Sequence, residues 1–279
     1  HWLPVDLYVG GPEHAVGHLM YSRIWNRFLY DQGLSPVKEP FKKLVHQGMI
    51  LGENGIKMGK RFPEFVINPS DIVEEYGADT LRLYEMFMGP LEVSKPWNSQ
   101  SVQGAYRFIN RVWKFFTEPE NLTDGENEVL TRVYHQTVKK VTNDFEALGF
   151  NTAISQMMIF VNEVYKVGTC PRVYAEGLIK MLSCICPHVG EEIWQKMGHE
   201  NTIAFEAWPE YDEAKTVENV VEIAVQINGK TRTTLSIGRE DAKDDVLAAA
   251  KEALADKLDG KNVIKEIYVP GRIVNIVAK

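Results

Sequence analysis

An α/β piece, an all-α helical bundle and a small α+β domain of ββαββ order, in that sequence, are the fold class predicted here. Three observations predict it. A short apolar run, Val5–Val9, leads through Gly10-Gly11 into a helical pattern, and a second apolar run follows at Leu44–Leu51; strand, glycine and helix in this order mark open α/β sheets. From Ser99 to about Gly198 apolar residues recur at helical spacing. Beyond Val220 two alternating stretches meet at Asn228-Gly229 and two more flank Pro270-Gly271, as in β-hairpins.

The bulk numbers are compatible with this. A chain of 279 residues with 44% hydrophobic content can form one to three domains and more than one core. No apolar run approaches the ~18 residues of a membrane span, and the start, His1-Trp-Leu-Pro-Val, lacks the basic-then-apolar profile of a secretion signal. The three cysteines are too few for a disulfide scaffold and lack paired metal-ligand spacing. Cys184 and Cys186 fall in the apolar run Met181–Cys186 and are expected to be buried thiols in a reducing cytosol, with no structural zinc. A net charge of −7 argues against a generally basic nucleic-acid binder, but phosphate contacts depend on local field and not on the total.

Residues 1–64 form the α/β piece. Val5–Val9 is a strand, Glu13–Gln32 a helix with Leu19, Ile24, Phe28 and Leu29 available for burial, and Leu44–Leu51 a buried strand ending in the Gly52–Gly55 turn. Residues 65–98 are linking helices: Asn68-Pro69 is an N-cap followed by proline at the first helical position, and Asp71–Tyr76 and Thr80–Met88 break at Gly77 and end at Gly89-Pro90. Residues 99–206 are the bundle. Its first helix buries Val102, Ile109, Val112, Trp113 and Phe116 and carries Arg107, Arg111 and Lys114 on another face with no acid between them. Glu126–Ala147 buries Leu130, Val133, Val141, Phe145 and Leu148 and exposes Arg132, His135 and Lys139. Asn151–Val167 and Pro171–Trp194, bent near Pro187, complete it. Residues 207–219 read as a polar linker and 220–279 as the ββαββ domain, with a helix over Asp241–Leu258.

The residues that carry chemistry are few. Lys57-Met58-Gly59-Lys60-Arg61 puts three cations into five residues on a glycine-softened loop, suited to a polyanion that gains charge during reaction. Most short basic runs are only solvated surface. Upstream, Asp6-Leu-Tyr-Val-Gly-Gly-Pro-Glu-His-Ala15 gives Gly10 and Gly11 for close approach of a nucleotide, Glu13 with acceptor oxygens for ribose hydroxyls, and His14 and His18 one turn apart. The histidines have three readings: a metal pair, which needs a third ligand, structural residues, or part of a nucleotide site. The basic faces of the bundle, and Lys230 and Arg232 past the Asn228-Gly229 turn, are either solvated or contacts to an RNA backbone.

Those two segments, together with Glu39-Pro-Phe-Lys-Lys-Leu44, Gln47-Gly-Met-Ile-Leu51, Tyr76-Gly-Ala-Asp-Thr-Leu-Arg-Leu83 and Val269-Pro-Gly-Arg-Ile-Val-Asn-Ile-Val277, resemble the class I aminoacyl-tRNA synthetases and, among them, the bacterial-type leucine enzymes. The likeness covers essentially the whole chain. It implies that residues 1–64 are the end of a Rossmann-type catalytic domain, that the bundle is of the anticodon-binding type, and that the last domain touches tRNA. It also implies a leucine–tRNA ligase that uses ATP with Mg²⁺, leucine and tRNALeu, monomeric and cytoplasmic.

By the same resemblance Lys57 and Lys60 are catalytic, and Gly10, Gly11, Glu13, His14, His18, Met49, Ile50, Lys60 and Arg61 hold ATP or the adenylate. Arg107, Arg111, Lys114, Arg132, Lys139, Lys230 and Arg232 become contacts to tRNA. The chain departs from the family's Lys-Met-Ser-Lys-Ser motif: Gly59 and Arg61 stand where serines are usual. The resemblance further implies that the first class-defining motif and the editing domain lie outside these residues, so that the chain alone is not expected to activate leucine. The rival expectation is a stand-alone RNA-binding module that retains a broken nucleotide fold.

Overall fold

A computed structural model describes residues 2–217, 220–238, 241–258, 260 and 262–279. The chain forms two compact units, one running to Tyr211 and the other comprising Asp212–Lys279. His1, and Glu218 and Asn219 at the end of the expected linker, lie outside the described residues.

The first unit opens with strand β1 (Tyr8–Gly10), helix α1 (Met20–Asp31) and strand β2 (Leu44–His46), which pairs parallel with β1, Tyr8 opposite Leu44 and Gly10 opposite His46. The sequence reading is corrected here in three ways. The single helix over Glu13–Gln32 is instead a 3₁₀ turn, Pro12–His14, then a π-type turn, Ala15–Leu19, and only then α1, because Gly17 adopts φ −86° and ψ −107°, outside the helical region. The strand Leu44–Leu51 is split into β2 and β3 (Ile50–Leu51), and Leu44 is exposed. Of the expected core residues of the helix Leu19 is buried, but Ile24 and Phe28 are exposed, since two three-residue strands present too little sheet to cover them. The buried side chain of α1 is Asn26, whose amide donates to the carbonyls of Val37 and Lys38 at 3.0 and 3.2 Å.

Helices α2 (Pro69–Tyr76) and α3 (Ala78–Phe87) follow, the first capped by Asn68, whose side chain accepts from the Ser70 N–H at 3.2 Å. Gly77 separates them at φ +88°, a conformation that favours glycine. Strand β4 (Lys95–Pro96) pairs parallel with β3 and delivers the chain into α4 (Ser99–Phe116). The bundle continues through β5 (Leu122–Thr123), α5 (Glu128–Glu146), α6 (Phe150–Val167), β6 (Cys170–Pro171), α7 (Arg172–Ser183) and α8 (Pro187–Lys196). The expected helix Pro171–Trp194 is thus two helices, with Cys184 to Cys186 forming the corner before Pro187. Leu130, Ile154, Met157, Phe160, Leu178 and Trp194 are fully buried in one core, each apolar side chain contributing on the order of 1.5–3 kcal/mol.

One buried carboxylate ties this core together. Asp79 at the start of α3 accepts from the Val189 N–H at 2.7 Å and from His188 Nδ1 at 2.8 Å, so that it satisfies the first turn of α8 from a different helix. Arg82 Nε donates to the Ile185 carbonyl at 2.7 Å on the same seam.

Cys170 and Cys186 are buried, but Cys184 is exposed at the α7–α8 corner, contrary to the expectation for its apolar run. Burial pushes the Cys170 thiol up to about 12. His135 is also corrected: it is buried, ringed by Tyr134 and Tyr174, and belongs to the core. Trp208, inside the expected linker, is docked, its indole N–H donating to Thr142 Oγ1 at 2.8 Å.

The second unit begins with the short helix α9 (Glu213–Thr216) and then builds a four-stranded sheet. Its strands are β7 (Val220–Ile227), β8 (Lys230–Gly238), β9 (Val263–Val269) and β10 (Ile273–Ala278), in the order β8-β7-β10-β9. Asn228 at φ +50° and Gly229 at φ +78° make the tight turn. The Asn228 side chain also bonds both the N–H and the carbonyl of Ala278, which pins the last strand. Helix α10 (Lys243–Glu252) packs Val246, Leu247 and Ala250 against Ile223, Val225 and Ile276. The expected helix Asp241–Leu258 is interrupted after Glu252 and resumes as α11 (Ala255–Leu258).

Candidate functional site

The lysine loop is built by a tight turn and an apolar anchor. After β3 the chain reverses at Gly52–Gly55, where Gly55 adopts φ +74° and the Gly52 N–H donates to the Ile56 carbonyl at 2.8 Å. This returns Lys57 to bridge Leu51. Met58 then turns inward, half-buried against the bundle core, its sulfur accepting from the Ile67 N–H at 3.5 Å. Lys57, Gly59, Lys60 and Arg61 are left exposed. Among the described residues none of the three cations meets a carboxylate; Arg61 lies 5.4 Å over the Phe62 ring. A side chain at Gly59 would meet open space, so packing does not require the glycine that replaces serine.

Glu53, at the tip of the turn, was not legible as functional. Its Oε1 accepts from both the N–H and the hydroxyl of Ser99, at 3.0 and 2.8 Å, so the lysine hairpin is latched to the first residue of α4. The Ser99 donors hold the Glu53 carboxyl below its ordinary 4.5. A depressed carboxylate contributes its stabilisation above the unfolded value and loses it as pH falls through the lowered folded one. Amide exchange at Ser99 is therefore expected to stay protected down to about pH 4.5 and to lose protection below it; Glu53→Gln should be less protected already at pH 7.

The second group of residues lies on β1 and β2. Gly10 faces open space, whereas a Cβ on Gly11 would come within 2.3–2.5 Å of the Glu13 carboxylate. Gly10 thus leaves room for a ligand, and at Gly11 the space is taken by the flexible Glu13 side chain. The His18 imidazole contacts the Tyr8 hydroxyl, and His14 lies 4.0 Å from Glu13, so the two histidines have separate partners. Among the described residues no three His, Cys, Asp or Glu side chains form a metal-holding group. The expectation for Met49 is also revised: its N–H is taken by Ser94 Oγ at 3.0 Å and its carbonyl accepts from the Lys95 N–H at 3.0 Å, so the Met49 N–H is not free for a base. Gly48 beside it allows β3 to pass the Val93–Ser94 backbone, which a Cβ would meet at 2.2–2.4 Å.

On the bundle, Arg107 and Lys114 are exposed, while Arg111 is turned toward α6, its guanidinium 2.9 Å from Asn162 Oδ1 and 4.5 Å over the Tyr165 ring. Arg132 is exposed and Lys139 half-buried, so with His135 in the core the expected basic stripe of α5 is not continuous. In the second unit Lys230 and Arg232 are exposed on β8.

Comparison with known proteins fits this geometry. Residues 2–92 match the model for tRNA synthetases class I (I, L, M and V), and residues 127–247 match the anticodon-binding domain of tRNA ligase. The chain thus joins a class I tRNA-synthetase segment to an anticodon-binding domain of tRNA ligase. Within that class it is similar to the agnB2 LeuRS of Agrobacterium radiobacter K84, solved as a ternary complex with tRNA and LeuAMS: 32% identity, TM-score 0.72, over 99% of this chain and 38% of that one. The chain thus spans well under half of that LeuRS. A methionyl-tRNA synthetase from Mycobacterium tuberculosis, bound by methionyl-adenylate, matches 69% of this chain and 44% of its own at 12% identity and TM-score 0.53, which reflects a common fold alone.

Proposed function

We propose that this chain provides the lysine loop and the tRNA-binding scaffold of a leucine–tRNA ligase working in the cytoplasm. The observation that carries the reading is a loop whose Met58 packs half-buried against the core while Lys57, Lys60 and Arg61 stand exposed with no carboxylate partner among the described residues. Fixed cations so placed suit a leaving pyrophosphate. In the reaction leucine's carboxylate attacks the α-phosphorus of ATP, the bond to the bridging oxygen breaks, and pyrophosphate departs with added negative charge. No protein nucleophile is needed; the work is positioning and charge neutralisation. Lys60 acts on the departing phosphates, Lys57 anchors the loop at its bridge to Leu51, and Arg61 adds a two-pronged phosphate donor. Gly10, Glu13 and His18 line the adenylate side, and Mg²⁺ arrives with ATP. Arg107, Lys114, Lys230 and Arg232 meet the tRNA backbone, and the ligase acts as a monomer.

The test is binding of the chain to tRNALeu against a tRNA with a short variable arm, at several salt concentrations. Preferential binding is expected, with affinity falling by roughly 0.7–0.9 log units per phosphate contact per decade of salt. Equal or absent binding would remove the tRNA reading and leave the basic faces as solvated surface.

A further inference from the structure

A groove of about 540 Å³ opens between the α2–α3 junction, α4 and the start of α8, and the lysine loop contributes nothing to it. Its walls are aromatic: Tyr76, Tyr106 and Trp113, with Asn110 between the last two on α4 and His188 at the rim. Tyr106 meets Tyr76 edge to face at 5.6 Å and is 41% exposed, so part of its side chain is open to a ligand. The His188 side chain is 75% exposed, yet it is held in place, since its Nδ1 bonds the buried Asp79 carboxylate at 2.8 Å. With Nδ1 donating to that carboxylate, Nε2 is the nitrogen left to meet a ligand.

The charge beside the groove identifies its occupant. On a helix of 100° per residue, Tyr106, Asn110 and Trp113 fall within about 60° of arc, and Arg107 and Lys114 lie about 80–100° round from Tyr106. The helix therefore carries an aromatic stripe and a basic stripe side by side; Lys196, which pairs with Glu192 at 3.7 Å, lies 5.5 Å over the Trp113 ring. An apolar peptide would use the aromatic stripe and gain nothing from the cations. A single-stranded nucleic acid uses both, stacking a base on the rings and placing its phosphates against the cations.

We propose that this groove is a subsite for one unpaired nucleotide of the bound tRNA, its base against Tyr106 and Trp113 and its polar contact at His188. The proposal rests on the tRNA reading above and adds a place where a base, and not only the backbone, is held.

The test is fluorescence anisotropy of the chain with a labelled tRNALeu transcript and with a blunt-ended RNA duplex, whose paired bases cannot enter the groove. Tyr106→Ala is expected to weaken tRNA binding by about 5- to 100-fold, with the salt slope and the duplex affinity unchanged. Tyr106→Phe should restore binding. His188→Ala should weaken binding of tRNA but not of the duplex; because it also takes a partner from the buried Asp79 carboxylate, its binding is measured below its own melting temperature, where a lost fold would lower both affinities. If Tyr106→Ala and His188→Ala bind tRNA as the unmodified chain does, the subsite is overturned while the tRNA reading stands. Equal losses on tRNA and duplex would overturn it as well, since a base pocket cannot act on paired bases. No tRNA binding by the unmodified chain would overturn the underlying reading and the subsite with it.

Discussion

Lys60→Ala is expected to slow leucine-dependent ATP–pyrophosphate exchange by about 10²- to 10³-fold in the ligase that carries this loop, the ~2.7–4 kcal/mol typical of losing one preorganised donor to a developing charge. The neighbouring cations should not replace it. Lys57 is fixed one strand-width from Leu51, and Arg61 lies against Phe62. Because the charge in question grows as pyrophosphate leaves, the loss should fall on kcat and leave the KM for ATP nearly unchanged. Lys60→Arg should recover only part of the rate, since a planar guanidinium on a three-carbon stem does not reproduce the position of a compact ammonium on a four-carbon one. A raised KM for ATP at constant kcat would instead make Lys60 a ground-state binder and refute its role at the transition state.

Gly190→Ala is expected to be among the most damaging single-methyl changes in the chain. Helix propensity alone would score it as a gain of up to ~1 kcal/mol. The tertiary structure reverses the sign, because the added Cβ would sit 2.6 Å from the Cβ and 2.9 Å from the Cα of Ser183, where α7 and α8 cross. Backbone cannot yield there without separating the two helices, so a loss of about 3 kcal/mol is expected, or ~6–12 °C in Tm for a unit of this size. Gly104→Ala in α4 is the matched control. Nothing lies within 4 Å of its added Cβ, so this change should be neutral or raise Tm. Thermal unfolding of the two variants followed by circular dichroism checks both, and a Gly190→Ala protein as stable as the parent would show that the corner is free to open.

Much of the local order was legible in the residues themselves. Asn68-Pro69 fixed a helix start because an Asn side chain and a proline ring act within one turn. Asn228-Gly229 fixed a hairpin because only such residues adopt positive φ cheaply, and the apolar periodicity of Ser99–Phe116 fixed which face of α4 is buried. The residues Lys57–Arg61 and Asp6–Ala15, with further segments along the chain, carried a resemblance to the class I synthetases of the leucine type; spacing and charge alone would not have separated Lys57–Arg61 from a solvated basic run.

Other features depend on residues far apart in sequence, and only the tertiary structure decided them. Glu53 on a polar turn reads as solvent-facing until Ser99 is brought to it. Asp79 and His188 are 109 positions apart and meet only because α3 and α8 pack. His135 counts as a basic surface residue by spacing, yet Tyr134 and Tyr174 enclose it, and the exposed Ile24 and Phe28 of α1 obey helical periodicity with too little sheet to receive them. Periodicity reports which residues share a face, a property of one element. What covers that face, and which polar groups it brings within hydrogen-bonding distance, is set by packing between elements.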